Sequence, residues 1–219
     1  MLINIINNCT SSISELSNLR SNALSLSAFE ASVNKLTTIE ALVTDFVSTV
    51  EEMNKHDFCK ISLPPEDMEK MQEAIRTCAA AVNSMTLSTN DVSAITTVFQ
   101  SQKTMLTVLW KSAAKTYVDP IRSYLGIIQT FATNKDEIQT LSKALLTGST
   151  AEPSAVIVRT LVANAQKANA ITSNFQMSDG VRSFLQKAKN GNATYADITE
   201  DVAKWIHEHN LSNKIKLTF

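Results

Sequence analysis

Glycine and proline are scarce in this sequence. Each occurs four times in 219 residues, about 2% of the chain against averages of about 7% and 5%. Glycine supplies the positive-φ turns of hairpins and lets the backbone approach phosphates closely. A fold of many short strands, or one built on glycine-rich nucleotide loops, is therefore not expected. Aromatic residues are also few, at 6%, so long helices joined by few turns fit the composition best.

Disulfide, secretion and membrane signals are missing as well. Cys9, Cys59 and Cys78 form no CxxC pair and leave one thiol over in any pairing scheme, which predicts a reducing compartment. The N-terminal segment lacks the charged start and apolar stretch of a secretory signal. No apolar run approaches the ~18 residues needed to span a bilayer. We therefore expect a cytoplasmic protein without a transmembrane segment.

Charge is balanced overall but uneven along the chain. The net charge is −1. Residues 1–75 hold 5 basic and 11 acidic side chains, whereas residues 76–219 hold 15 and 10. Two ordinary solvated surfaces are the expected interpretation. The alternative is that regions of opposite sign attract each other within the fold, or attract a partner across an interface.

Apolar residues recur every three to four positions from residue 28 to residue 175, which predicts an all-α fold. The most regular stretch is heptad-like and typical of helices that supercoil as a coiled coil. It consists of Phe29, Leu36, Val43 and Val50 at one position and Ile39, Phe46 and Met53 at the other. A second seam runs from Met68 to Met85 after Pro64 and Pro65. The first two helices are therefore expected to form a long antiparallel hairpin.

The predicted helices cover about 12–56, 65–86, 89–118, 120–132, 135–147 and 154–175. Asp119 and Pro120 are either the N-cap and first residue of a new helix or a kink in a continuing one. Gly148 is predicted to end a helix. Residues 1–175 are thus expected to form an elongated multi-helix bundle, and residues 176–219 a small C-terminal helical module. The last residues alternate apolar and polar, the period of a strand, which predicts an extended tail.

The histidines and cysteines do not form a predicted metal site. His56 and Cys59 lie three residues apart, but a zinc site needs three or four ligands. His207 and His209 are two apart on a predicted helix, so their rings diverge by about 160°. No metal and no cofactor are predicted.

Catalytic motifs are also missing. The sequence contains no GxSxG, HExxH, GxxxxGK[ST] or GxGxxG pattern. The acidic pairs Glu51-Glu52 and Glu66-Asp67 are neighbours in sequence and do not share a helix face. The first pair is expected at the surface and the second at a helix start. The chain is therefore not expected to be an enzyme.

One helix face combines three basic residues. Lys111, Lys115 and Arg122 fall within about 40° on a helical wheel if the helix continues through Pro120, and we call them the basic face. Ordinary solvation of a core helix is the expected interpretation. The alternatives are an acidic partner or nucleic-acid phosphates, although no aromatic residues interleave as stacking platforms.

Two further features are candidate docking surfaces. Methionines at Met68, Met71 and Met85 suit either a core or a groove for a partner helix, and a core role is expected. The tail residues Ile215, Leu217 and Phe219 either pack on the protein's own helices or add as a strand to a partner's sheet. Packing on the protein itself is favoured.

These features predict a non-catalytic helical interaction or scaffold protein. It would act as a subunit or adaptor in a larger intracellular assembly, through a protein partner or through self-association. One alternative is a nucleic-acid-binding accessory protein that uses the basic face. The other is a membrane-active helical bundle, which the amphipathic helices allow but for which the sequence lacks a contiguous apolar hairpin.

Overall fold

Seven α-helices and two short 3₁₀ turns make up the described part of the chain, which contains no β-strand. The computed structural model describes residues 2–130, 132–175 and 177–212, with side chains from residue 21 onward. The predicted all-α class is confirmed. The elongated hairpin stays a prediction, and the tail residues Ile215, Leu217 and Phe219 lie outside the described residues. The helices are α1 (Leu2–Asn54), α2 (Pro65–Asn83), α3 (Thr89–Ile128), α4 (Lys135–Thr150), α5 (Ala155–Ser173), α6 (Asp179–Lys189) and α7 (Glu200–Glu208), with 3₁₀ turns at Asp57–Cys59 and Tyr195–Asp197.

Helix α3 continues through Pro120. Instead of two helices over 89–118 and 120–132, the structure has one, which is the second of the two alternatives left by the sequence. Proline inside a helix costs about 3 kcal/mol or more. Fully buried side chains on both sides of it, Val118 and Leu125, offset this cost, because burying each one contributes roughly 1.5 to 3 kcal/mol.

Two other helix boundaries differ from the predicted ones. Helix α1 begins at Leu2 rather than at residue 12. Helix α4 runs past Gly148 to Thr150. Gly148 does not end the helix because it is needed inside it: a Cβ at this position would lie 2.8 Å from Leu161 Cδ1 on α5. The glycine marks a close approach between two helices.

The helices group into two compact units. The first comprises Met1–Ser48 and Ile61–Leu106, and the second comprises Thr49–Lys60 and Thr107–Phe219. Helices α1 and α3 each contribute residues to both units. Helices α6 and α7 belong to the second unit, and the predicted separation of residues 176–219 as a module stays a prediction.

In the first unit, an aromatic pair joins α1 to α3. The rings of Phe46 and Phe99 meet edge to face with centroids 5.8 Å apart, an arrangement that aromatic quadrupoles favour. Beside them, Lys103 Nζ donates to Asp45 Oδ2 at 3.0 Å. Ile39 on α1 and Ile95 on α3 are also buried, so these two helices supply most of the core of this unit.

The heptad seam on α1 is covered along only one of its two lines. Ile39, Phe46 and Met53 are buried. The other line, Phe29, Leu36, Val43 and Val50, is only half-buried. Ser32, the polar break in the seam, donates from Oγ to Ala28 O at 3.0 Å and so satisfies its hydroxyl within the helix. Residues 21–28 are all exposed, including Leu24 and Leu26.

In the second unit, α4 packs directly on α5. Leu145 on α4 and Val158, Leu161 and Ala165 on α5 have almost no exposed surface. The 3₁₀ turn after α1 supplies a second contact, because the ring of Phe58 stacks on Tyr117 of α3 with centroids 4.0 Å apart.

The indole of Trp205 anchors the last described helix, α7. Trp205 on α7 is buried, and its Nε1 donates to Phe175 O at 2.8 Å. His209 stacks on the Trp205 ring with centroids 4.3 Å apart. This arrangement fixes α7 against the end of the chain segment that follows α5.

The stability of this region is expected to depend on the ionisation of Asp197. Its carboxylate accepts from Lys187 Nζ and from the backbone N and hydroxyl of Thr194. These contacts, with Lys187 first, lower the pKa of Asp197 to about 2 from an ordinary 3.8. A depressed carboxyl pKa stabilises the fold above the unfolded pKa, and this stability is lost as the pH falls toward the folded value.

The replacement Lys187→Met is therefore expected to make the free energy of unfolding less dependent on pH under acidic conditions. Between pH 4 and pH 2, the free energy of unfolding should fall less steeply in the variant than in the wild type, because the pKa of Asp197 then lies nearer its ordinary value. Urea unfolding followed by circular dichroism across this window measures the slope. Lys189→Met removes a neighbouring exposed cation and should keep the wild-type slope. Equal slopes in Lys187→Met and the wild type would contradict the prediction.

Candidate interaction surfaces

Helix α2 belongs to the first unit, and few of its side chains are buried by neighbouring helices. Within α2, whose residues are all described, only Cys78 is buried. Met68 is 47% exposed and Ile75 is 42% exposed. An amphipathic helix normally gains its stability by packing its apolar face. The apolar face of α2 is left partly open.

An apolar groove of about 410 Å³ runs along one flank of α2. It is bordered by α1, α2 and α3 and contains a single charged side chain, Glu40. We call it the apolar groove. Its lining includes Leu36, Ile39 and Val43 from α1, Ile75, Cys78, Ala79 and Val82 from α2, and Ile95 from α3. The sequence predicted the apolar seams on α1 and α2 but not the space between them.

A second groove, of about 860 Å³, follows the opposite flank of α2, toward α3. Small side chains, Ala74, Cys78, Ala94 and Val98, line part of it, and charged residues form its rim. Four carboxylates, Glu66, Glu69, Glu73 and Asp91, outnumber two cations, Lys70 and Arg76. We call it the acidic groove.

Not every rim carboxylate is free. Asp91 accepts hydrogen bonds from the backbone N and hydroxyl of Ser88, which caps α3 and lowers the pKa of Asp91. Glu73 lies 3.6 Å from Arg76, with both side chains largely exposed. Among the described residues, Glu66 and Glu69 form no ion pair. These two carboxylates therefore remain available to an external cation.

The basic face is only partly free. Lys111 and Lys115 are exposed on α3, and neither forms an ion pair with a described residue. Arg122 is engaged: its Nε donates to Ser142 O at 3.2 Å and its Nη1 lies 3.8 Å from Asp119 Oδ1. Val108, one helical turn before Lys111, is 65% exposed. The part of the basic face that remains available to a partner thus consists of Lys111 and Lys115 beside the apolar side chain of Val108.

Glu52 was expected at the surface with Glu51, and this expectation is wrong. Glu51 is exposed, but the side chain of Glu52 is only 10% exposed. Lys55 Nζ lies 2.9 Å from Glu52 Oε2, His56 Nε2 3.6 Å from Oε1, and Arg159 Nε 3.7 Å from Oε2. The hydrogen bond from Lys55, together with the attraction of Lys55 and Arg159, lowers the pKa of Glu52. Sequence spacing could have suggested Lys55 and His56 but not Arg159.

His56 and Cys59 do not act together. The His56 ring faces Phe58 with centroids 6.2 Å apart, whereas Cys59 Sγ donates to Met53 O at 3.3 Å. Burial raises the pKa of Cys59 to about 11, so its thiol stays protonated at neutral pH and is a poor nucleophile. In the part of the chain that the structure describes, no three His, Cys, Asp or Glu side chains are grouped to hold a metal ion.

The methionines occupy different environments from the expected core. Met68 is largely exposed and Met71 half-buried. Met85 is 74% exposed and follows the end of α2 with a φ of 55°. That left-handed conformation ends the helix, which is why its side chain leaves the seam.

The fold and surfaces define a helical protein with open grooves. No known family, curated protein or solved structure matches the chain. Across the described helices, none is long and apolar enough to cross a membrane.

Proposed function

We propose that this chain is a non-catalytic interaction or scaffold protein that works as a subunit or adaptor in a larger cytoplasmic assembly. The observation that carries the proposal is the uncovered state of α2, whose apolar residues border an open groove on α1 and α3. Exposed apolar surface of this kind is typical of sites where another helix packs. The free thiols of Cys59 and Cys78 support a reducing compartment.

A nucleic-acid role for the basic face has less support. Phosphate binding gains from several cations that act together, but Arg122 is already engaged by Asp119 and Ser142. Two lysines remain on the face. We therefore keep protein–protein interaction as the proposed function.

Filling the apolar groove tests this function. Ala79 lines the groove and is exposed, so Ala79→Trp should occupy it without disturbing the core. We expect the dissociation constant for a partner purified with the wild-type chain to rise by about tenfold or more, because blocking a central pocket removes the contacts that dominate binding. Titration calorimetry with that partner measures the change.

The matched control is Ala80→Trp. Ala80 is the next residue of α2, is exposed and lines neither groove. This variant should bind as the wild type does. Light scattering on the purified chain completes the test: a protein that stays monomeric and captures no partner from its native lysate would overturn the proposed function.

A further inference from the structure

The acidic groove and the free part of the basic face have matching patterns. Glu69 and Glu73 lie four residues apart on α2, and Lys111 and Lys115 lie four residues apart on α3. Four residues of helix span about 6 Å, so both charge pairs have the same length.

We propose that the acidic groove of one molecule receives the Val108–Lys115 segment of α3 from a second copy of this chain. This inference rests on the proposed function, because it names the partner of one of the two grooves. Charge complementarity selects the occupant. The groove rim has two more negative than positive charges, and the segment carries two exposed lysines and no acidic residue.

The shape of the groove also fits this occupant. Ala74, Ala94 and Val98 in the groove lining are small, which leaves space for the side chain of Val108 and for the aliphatic stems of the lysines. The ammonium groups would then reach Glu69 and Glu73 at the rim. Lys111, Lys115 and Glu69 form no ion pair among the described residues, and Glu73 has only the exposed Arg76 at 3.6 Å, a pair that contributes little in solvent.

The contact joins two different surfaces, so it is heterologous. In such a pair, one molecule keeps its segment free and the other keeps its groove free. The assembly therefore grows with protein concentration instead of stopping at a dimer, unless the rotation between neighbours closes a ring. Exposed ion pairs are individually weak and are screened by salt. Self-association should thus weaken strongly between about 0.1 M and about 1 M salt, over which the Debye length falls from about 10 Å to about 3 Å.

Charge reversal tests the proposal with two variants. The double variant E69K/E73K makes the groove basic, and K111E/K115E makes the segment acidic. Each variant alone should require at least about tenfold more protein to associate, since juxtaposed like charges oppose binding. An equimolar mixture should associate again, because the segment of the first variant fits the groove of the second. Sedimentation velocity at a series of concentrations measures all three.

Two further variants separate the pairing of the two surfaces from a general effect of charge. The quadruple variant E69K/E73K/K111E/K115E should self-associate as the wild type does, because the reversed surfaces match once more. The variant K143E/K167E reverses two exposed lysines elsewhere in the second unit and should behave as the wild type. Circular dichroism confirms that each variant is folded.

Several outcomes would overturn the inference. A wild-type chain that is monomeric at every concentration would do so, as would a mixture of the two double variants that fails to associate. Equal loss of association in K143E/K167E would show that net charge, not the two faces, is responsible. The proposed function fails separately, through Ala79→Trp, because that variant changes the other groove.

Discussion

Replacing Trp205 with alanine is expected to lower the free energy of unfolding by about 3 to 5 kcal/mol. The indole is buried, stacks on His209 and donates to Phe175 O. Its removal leaves a cavity between α7 and the segment after α5, and it takes this donor away from the Phe175 carbonyl. Urea unfolding followed by circular dichroism gives the free energy directly.

Trp205→Phe separates the two contributions. Phenylalanine keeps an aromatic ring against His209 but cannot donate to Phe175 O, so the expected loss is smaller, about 1 to 3 kcal/mol. If alanine destabilised the protein no more than phenylalanine does, the packing account of this residue would be refuted. A loss below about 1 kcal/mol for Trp205→Ala would show that α7 is not held by its indole.

Alanine substitutions at two helical glycines are expected to change the free energy of unfolding in opposite directions. A Cβ at Gly148 would lie 2.8 Å from Leu161 Cδ1, and Leu161 is 1% exposed. Overpacking a core costs about 1 to 3 kcal/mol, more than the ~1 kcal/mol that alanine gains over glycine in helix propensity. After this gain is subtracted, Gly148→Ala is expected to lower the free energy of unfolding by up to about 2 kcal/mol.

Gly126→Ala is the matched control. Its Cβ would meet Lys189 Nζ at 2.9 Å, but this atom ends a flexible, exposed side chain that can move into solvent. The gain in helix propensity then remains, and the free energy of unfolding should rise by up to about 1 kcal/mol. Thermal or urea unfolding of both variants gives the two signs. If both substitutions changed the free energy of unfolding in the same direction, the proposed packing difference between these glycines would be contradicted.

Local periodicity is sufficient to predict the fold class. The recurrence of apolar residues every three to four positions is a property of single helices, and it identifies the all-α class. The start of α3 also depends on residues close in sequence, because Ser88 N donates to Asp91 Oδ2 and Asp91 N donates to Ser88 Oγ. These features depend only on residues close in sequence.

Features that depend on distant residues could not be predicted in this way. Glu52 is buried, and one of the cations beside it, Arg159, comes from a helix far along the chain. The intrinsic preferences of glycine and proline predict helix boundaries at Gly148 and Pro120. The helices continue through both residues, because Gly148 packs against Leu161 and because side chains on both sides of the proline are buried. The two grooves arise from the spacing between helices, which no single-helix pattern contains. In the sequence, their rim residues resemble ordinary solvated positions.

Because both compact units share α1 and α3, neither unit can be exchanged by recombination as one continuous piece of sequence. Every boundary between the units except the one after Lys60 falls inside a helix. Removing either unit would therefore sever helices, and shortened helices lose cooperative stability. A single crossover cannot exchange one unit for a foreign one, because each unit consists of two separate stretches of the sequence.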